Sequence, residues 1–197
     1  QWLRGALAGI VMLAGGNGLV SWAETRLPSN VAALFVAAVP LHVAILDWAR
    51  PGGVRPRPLV WAGIAAGAVG MAVLIAPDPQ ALAAPDPAAV LAMLLSGLAW
   101  ATGSLYARHG GMHPQPLMAS AQQMLGGGVF LLLVAAVRGE RISAEALTLE
   151  ALGAFGYLTV FGSLVAFSAF AWLVKASTPA RLSTTAFVNP VVAVGLG

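Results

Sequence analysis

Seven long apolar runs dominate this sequence, and the short connections between them hold most of its charged residues. A helix needs about 17–25 apolar residues to cross the hydrocarbon core of a bilayer, and six of the runs meet that length. Hydrophobic residues make up 59% and charged residues 9% of the chain, against about 45–50% and about 25% in soluble domains. We therefore expect an all-α, polytopic membrane helix bundle with the lipid bilayer as a partner. The runs cover 5–23, 31–48, 59–76, 88–107, 117–137, 151–174 and 182–197.

The residues that are missing from the sequence exclude several classes of function. The chain has no cysteine, which excludes disulfides, thiolate metal sites and cysteine nucleophiles. Its net charge of +3 is spread over the connections, so nucleic acid is not an expected partner. No GxxxxGKS/T loop, HExxH motif or GxSxG motif occurs, which argues against an ATP-driven motor and against these classes of hydrolase. His109 and His113 have no third ligand nearby, and we expect neither a metal nor a cofactor.

Lysine and arginine are shared unequally between the two sides of the predicted bundle. If the connections alternate across the membrane, seven cations fall on one side and three on the other. Because cytoplasmic connections carry the excess of positive charge, we predict that the seven-cation side and the N-terminus face the cytoplasm. That side holds Arg4, Arg50, Arg55, Arg57, Arg108, Lys175 and Arg181.

Two prolines interrupt apolar runs at related positions. Pro40 and Pro190 are 150 residues apart, and the same shift places Trp22 on Trp172. Five predicted helices lie within that interval, and an odd number of helices turns the second copy upside down in the membrane. Inverted repeats with proline-broken helices at matching positions indicate a secondary transporter whose site lies near the bilayer midplane.

Three stretches of the chain resemble the EamA family of the drug/metabolite transporter superfamily, in the order that the family has. The resemblance implies a ten-helix carrier made of two inverted five-helix repeats, with both termini in the cytoplasm. The seven runs would be its third to ninth helices: the end of the first repeat (1–76), an external linker (77–87) and the start of the second repeat (88–197). The stretches are GNGLVSWAETRLPSNVAALFVAAVP (16–40), GLAWATGSLYARHG (97–110) and YLTVFGSLVAFSAFAWLVKASTPARLSTTAFVNPVVAVGLG (157–197).

Two features of the ends lead us to expect a fragment of such a carrier, with the last helix incomplete. The chain begins at Gln1 without an initiator methionine. Its last run would form a helix of about 24 Å, short of a hydrocarbon core of roughly 30 Å.

The resemblance implies export of small metabolites or drugs by alternating access, in a multi-pass protein of the bacterial inner membrane. Proton coupling stays open, because Glu24 is able to bind a proton whereas a uniporter needs no titrating residue. The alternative is an intramembrane enzyme that acts on a lipid or isoprenoid substrate, with acid–base chemistry from Glu24, His42 and Asp47. We favour the carrier and expect no catalytic residues, because the polar residues are spread over both halves of the chain.

Polar and helix-breaking residues inside the runs are costly in a membrane and mark the predicted substrate path. Asn17, Ser21 and Glu24 stand at i, i+4 and i+7, on one face of a helix. Each candidate also has a structural alternative, such as interfacial pairing for Glu24 or packing between helices for Asn17. The candidates are Asn17, Ser21, Glu24, Pro40, His42, Trp100, Gln122, Gln123, Asn189 and Pro190.

The two broken helices should face a cavity. Proline has no N–H, so Pro40 leaves the Val36 carbonyl without its helical donor and Pro190 does the same to Ala186. Free backbone groups at membrane depth are tolerated only where they meet protein or water. Asn189 adds an amide beside one of the breaks. The alternative is that both prolines only kink their helices for packing.

Overall fold

The computed structural model describes residues 1–53, 55–75, 86–141, 143 and 147–185. Within these residues, five stretches are long and apolar enough to cross a membrane, and one of them, Val31–Ala49, consists of two helices joined by a turn. This confirms the all-α, polytopic membrane fold, while residues 186–197 of the last run lie outside the described part. In chain order the helices are α1 Trp2–Glu24, α2 Ser29–Val36, α3 Val39–Ala49, α4 Pro58–Ile75, α5 Pro87–His109, α6 Pro116–Val137, α7 Leu149–Ala176 and α8 Pro179–Ser183.

Local sequence sets the start of α5 and of α8 in the same way. Each helix begins with a proline, which has no N–H to leave unpaired in the first turn. The residue before that proline caps the helix: the Asp86 carboxylate accepts a bond from the Ala88 N–H at 2.9 Å. In α8 the Thr178 hydroxyl accepts one from the Arg181 N–H at 3.4 Å. These caps are encoded within a few residues, so they form wherever the helix is placed.

Helices α1 and α6 pack closely because glycines replace side chains between them. A Cβ at Gly9 would collide with the backbone carbonyl of Gln123, and a Cβ at Gly5 would lie 2.6 Å from the Gln122 Cβ. Small residues allow this close approach of backbones in membranes, where apolar lipid supplies no hydrophobic drive for association. The contact fixes how α1 is rotated about its own axis.

Cations on one face of the bundle join helix ends that are distant in sequence. Arg4 donates to the Gly110 carbonyl at 3.3 Å, and Lys175 donates to the carbonyls of His113 and Pro114. At the opposite face, Arg26 pairs with Asp86 at 3.5 Å. The start of α1, the end of α5 and the end of α7 therefore share one face, which is the side predicted to be cytoplasmic.

The span that contains Pro40 is broken, as its sequence suggests. Helix α2 ends at Val36, a turn follows at residues 37–38, and α3 starts at Val39 with Pro40 in its first turn. The N–H groups of Leu41 and His42 both donate to the Ala38 carbonyl. Pro40 is fully buried, and α3 packs against α5.

Candidate functional site

A cavity of about 520 Å³ lies between α1, the broken α2–α3 span, α5, α7 and α8. Every one of these elements contributes side chains to its wall. Sites of this kind typically have a mainly apolar wall with a few placed polar groups, in volumes of about 300–1,000 Å³. The cavity is large enough for a small organic molecule.

One face of α5 runs along the length of the cavity. Ser96, Trp100, Ser104 and Arg108 all line it, each one helical turn after the last. Twelve residues separate the first from the last, which corresponds to about 18 Å at 1.5 Å per residue. The cavity is therefore elongated, with hydroxyl groups along it and a guanidinium at one end.

The middle of the cavity has an aromatic wall. The Trp100 and Phe170 rings lie 5.3 Å apart between centroids and are tilted by 53°. Phe167 stacks on Phe170 with centroids 6.1 Å apart. Gly16 of α1 faces the indole, since a Cβ there would come within 3.0 Å of the Trp100 ring. The rings thus offer an apolar aromatic surface at the level where Gly16 of α1 faces α5.

Both α1 and α7 contain a π-helical segment where they line the cavity. The segments are Ile10–Gly18 in α1 and Leu158–Phe167 in α7. In such segments the backbone N–H bonds to the fifth residue back, which shifts the angular position of later side chains, and they occur frequently at functional sites. The first segment supplies Asn17 to the wall and the second supplies Phe167.

Most polar groups of the wall are already hydrogen-bonded to the backbone. Ser96 donates to the Met93 carbonyl at 2.7 Å and Ser104 to the Ala101 carbonyl at 2.9 Å. The Asn17 amide has no partner among the residues that the structure describes. It is a donor and acceptor ready for a ligand.

Arg108 is the charged group of the described wall. Its guanidinium donates through Nη1 to the Val174 carbonyl at 2.6 Å and to the Ser177 carbonyl. Both carbonyls belong to the C-terminal end of α7, where the helix dipole places partial negative charge. Arg108 therefore holds the end of α7 against the end of α5.

A family comparison agrees with the membrane-helix fold. The model of the EamA-like transporter family matches residues 87–197, which is more than half of the chain. The chain belongs to the EamA-like transporter family. Family membership, together with the apolar helices, makes it a multi-pass membrane protein of a transporter family.

Three curated relatives match along almost the whole chain. The uncharacterized inner membrane transporter YedA of Escherichia coli strain K12 is 38% identical over 196 residues, which cover 99% of this chain and 62% of that protein. An uncharacterized transporter of Synechocystis is 26% identical, over 90% of this chain and 57% of that protein. Protein PecM of Dickeya dadantii is 29% identical, over 91% of this chain and 59% of that protein. The chain spans less than two thirds of these relatives, and no solved structure matches it.

The structure brings some of the predicted path residues of this EamA-family chain to the cavity. Asn17 and Trp100 line it directly. Pro40 does not, but Val36 and Val39, on either side of the break, do. Residues on either side of the break therefore line the cavity, while Pro40 lies behind them.

His42 lies behind the wall, against α5. A Cβ at Gly97 would come within 2.8 Å of its ring nitrogen Nδ1, so only glycine leaves room for the imidazole there. That nitrogen is buried and has no hydrogen-bond partner in the described part of the chain. Gly97 itself lines the cavity, so His42 is separated from the lumen by one glycine.

Other predicted residues lie elsewhere. Ser21 and Glu24 are exposed near the end of α1 and do not line the cavity. Gln122 and Gln123 are buried between α6 and α1, where the Gln123 amide donates to the Ala119 carbonyl at 3.1 Å. Residues 186–197, which include Asn189 and Pro190, lie outside the described residues.

Three wall residues, Arg108, Phe167 and Phe170, are not among the path residues expected from the sequence. A signal for Arg108 was present, because it continues the series of Ser96, Trp100 and Ser104 by one more step of four. Phe167 and Phe170 are three apart and share a helix face, but in an aromatic-rich run nothing distinguishes a cavity face from a lipid face. Their role as wall residues comes from the packing of α7.

Proposed function

We propose that this chain forms the central part of a secondary transporter of the inner membrane, which exports small organic solutes by alternating access. The observation that carries the proposal is the cavity, enclosed by a broken span and by two helices with π-helical segments. Irregular backbone at membrane depth is expected where it lines a solute path. Glu24 or His42 would serve as the proton site if transport is coupled to protons.

The two π-helical segments support an inverted repeat with its division near residues 77–87. Shifting Ile10–Gly18 by 150 residues, the separation of Pro40 and Pro190, gives 160–168, within two residues of Leu158–Phe167. The lining residues correspond as well. The pairs that this shift relates, each with both members on the wall, are Gly16 and Ala166, Asn17 and Phe167, and Val20 and Phe170.

The same relation supports Asn189 as a path residue. A shift of 150 carries Val36 to Ala186 and Val39 to Asn189, and both valines line the cavity beside the break. If the second repeat copies the first, Asn189 adds an amide to the wall from the related helix. Inverted-repeat transporters bind their solute where such paired, interrupted helices meet.

The groups that an intramembrane enzyme would use are not gathered in the described structure. Asp47 pairs with Arg50 at 2.6 Å near the end of α3. Glu24 is exposed near the end of α1, and α1 and α3 end on opposite faces of the bundle. His42 lies at the level of Gly97, between those two ends. Acid–base catalysis needs such groups within hydrogen-bond reach of one substrate.

The proposal is tested by a transport assay that does not require the substrate to be known in advance. Inside-out membrane vesicles that contain the full-length protein are incubated with a cytosolic metabolite extract, with and without a pH gradient, and their contents are measured by mass spectrometry. We expect at least one small organic solute to accumulate in these vesicles, and to accumulate less with Trp100→Ala. Trp172→Ala is the matched control, because Trp172 lies on α7 and is 57% exposed.

Accumulation that depends on the pH gradient would support proton coupling, and accumulation without it would support uniport. Vesicles with the full-length protein whose contents equal those of empty vesicles would refute the transporter proposal. If Trp100→Ala and Trp172→Ala lose the same amount of accumulation at matched protein levels, the cavity is not the transport path.

A further inference from the structure

We propose that the cavity takes an organic anion with an apolar, ring-sized body, which binds with its acidic group toward Arg108 and its body against Trp100 and Phe170. This rests on the proposed transport function, because it names the class of solute for the same cavity. The proposed class of solute follows from three properties of the wall. Arg108 has no acidic partner in the described part of the chain, the described lining contains no carboxylate, and Trp100 and Phe170 form an aromatic surface.

The charge of Arg108 has no acidic partner in the described part of the chain. The ion pairs found there involve Arg26, Arg50 and Arg138 instead. Arg108 is half-buried, and both of its hydrogen bonds leave from Nη1 and end on backbone carbonyls. The α7 dipole contributes only about half an opposite charge. The remaining positive charge and the donors on Nε and Nη2 are available to an anion, and a carboxylate fits a guanidinium in a bidentate manner.

Carboxylates of the protein are absent from the described lining of the cavity. Asp47, Asp86 and Glu140 are each paired with an arginine at a helix end. Glu24 and Glu150 are exposed outside the wall. An organic cation would enter this cavity without a counter-charge and would face Arg108, which is unfavourable in a partly desolvated site. The same argument disfavours a solute with a free ammonium group.

The aromatic wall supplies the binding surface for the rest of the molecule. Trp100 lies eight residues before Arg108 on the same face of α5, about 12 Å along the helix axis. A ring joined to a carboxylate through a few methylene groups spans this separation once the contact distances to the indole and to the guanidinium are included. Ser104, between the two, offers a hydroxyl oxygen to the linker region.

The test uses three ligands that share a phenyl ring on a four-carbon chain and differ in the end group, which is anionic, neutral or cationic: 4-phenylbutyrate, 4-phenyl-1-butanol and 4-phenylbutylammonium. Their affinities for the full-length protein in nanodiscs are measured by titration calorimetry at pH 7. We expect the acid to bind at least tenfold more tightly than the alcohol, and the ammonium compound to bind most weakly. Equal affinities of acid and alcohol, or tightest binding of the ammonium compound, would overturn the proposal.

Substitutions at the wall test whether the preference for the acid depends on Arg108. Arg108→Gln should bring the acid to within twofold of the alcohol while the affinity of the alcohol stays unchanged, and Arg108→Lys should keep the preference for the acid. Arg55→Gln is the control, because it removes an exposed cation that does not line the cavity. Arg108→Gln could fail to fold if α7 loses its anchor, and two other variants then decide. Arg108→Lys should keep the preference for the acid. Trp100→Leu should weaken the binding of acid and alcohol alike. A preference for the acid that survives in folded Arg108→Gln would overturn the proposal.

The anion proposal and the transporter proposal fail separately. Accumulation of solutes in vesicles that depends on Trp100, without preference for the acid, would leave transport standing and refute the anion class. Preferential binding of the acid without any accumulation would do the reverse.

Discussion

Helices α1 and α7 carry the same local feature in different surroundings. Each contains a π-helical segment at the level of the cavity, and the two segments nearly coincide after a shift of 150 residues. Within the described part of the chain, 28% of an 18-residue apolar segment of α1 is buried, against 17% of the corresponding segment of α7. Helix α1 lies between α5 and α6, with glycines at the contacts, whereas α7 touches the described bundle mainly through its last third, Ser168–Ala176.

The difference shows that the interruption of a helix and its packing have separate origins. Both segments keep their π-helical form although only one is wedged between neighbours. Close packing of α1 comes from its glycines, and Arg108 and Lys175 hold the end of α7 through backbone carbonyls. In the described part of the chain, α1 is therefore held by close backbone contacts along its length, and α7 by polar contacts near one end.

The largest expected effect concerns orientation. If α1 and α7 are inverted copies, their first residues face opposite sides of the membrane. Single cysteines at Leu3 and Leu149, both exposed, are introduced into a cysteine-free full-length protein. A membrane-impermeant maleimide should label only position 149 in intact cells, and position 3 only after permeabilisation. Labelling of both positions from one side would refute the inverted relation of the two helices.

The next effect separates the packing of the two helices. Gly9→Val should abolish the yield of folded protein, because the valine side chain would collide with the Gln123 carbonyl in α6. Overpacking of this kind typically costs about 1–3 kcal/mol or more of stability. The yield of Gly162→Val on α7 should stay within twofold of wild type, since among the described residues a Cβ there meets only the Leu158 side chain, at 3.7 Å. Fluorescence size-exclusion chromatography measures both variants. Equal yields would show that the glycine contacts do not distinguish α1 from α7.

A smaller effect distinguishes the two related wall residues Asn17 and Phe167. Asn17→Ala should lower transport about fivefold with unchanged Tm, because the amide has no internal partner in the described part of the chain and a lost ligand hydrogen bond costs roughly 1 kcal/mol. Phe167→Ala should lower both transport and Tm, because its ring is buried and stacks on Phe170. Vesicle accumulation and thermal unfolding are measured for each. A fall in Tm with Asn17→Ala would indicate a packing role for the amide.

The smallest effect lies near the end of α1. The Arg26 guanidinium lies 3.9 Å from the centroid of the Trp22 ring and also pairs with Asp86. Both contacts are partly exposed, so Arg26→Gln should lower Tm by no more than about 2–4 °C, and by less in high salt. Arg57→Gln, an exposed arginine without a described ion pair, should leave Tm unchanged. A fall above 8 °C for Arg26→Gln would mean that this contact fastens α1 to α5 far more strongly than proposed.

Much of the helix layout was accessible from the sequence. The predicted runs 5–23, 88–107 and 117–137 each lie within a few residues of an observed helix, and the break before Pro40 is where the proline chemistry requires it. These features depend on bilayer thickness, backbone hydrogen bonding and local caps, which act over a few residues. The path prediction was less complete: Asn17 and Trp100 line the cavity, whereas Ser21 and Glu24 do not.

The reason for that gap lies in how each helix is placed against its neighbours. The spacing of Asn17, Ser21 and Glu24 predicts a shared helix face, but it does not tell how far a cavity extends along that face. Gly16, Asn17 and Val20 line the cavity, whereas Ser21 and Glu24 are exposed nearer the end of α1. Similarly, Gln122 and Gln123 are polar residues in a membrane span, yet they serve the α1–α6 contact. Neither outcome can be read from hydropathy, because it depends on which neighbour each helix meets.

The sequence by itself determined that this chain crosses the membrane repeatedly, where its spans begin and break, and which family it resembles. A segment with apolar side chains in a bilayer forms a helix, because its polar backbone groups find no hydrogen-bond partner in the lipid. Only the tertiary structure decided which faces of those helices meet. That choice depends on close backbone contacts such as Gly9 against Gln123, and it alone placed Arg108 and the aromatic rings around one cavity.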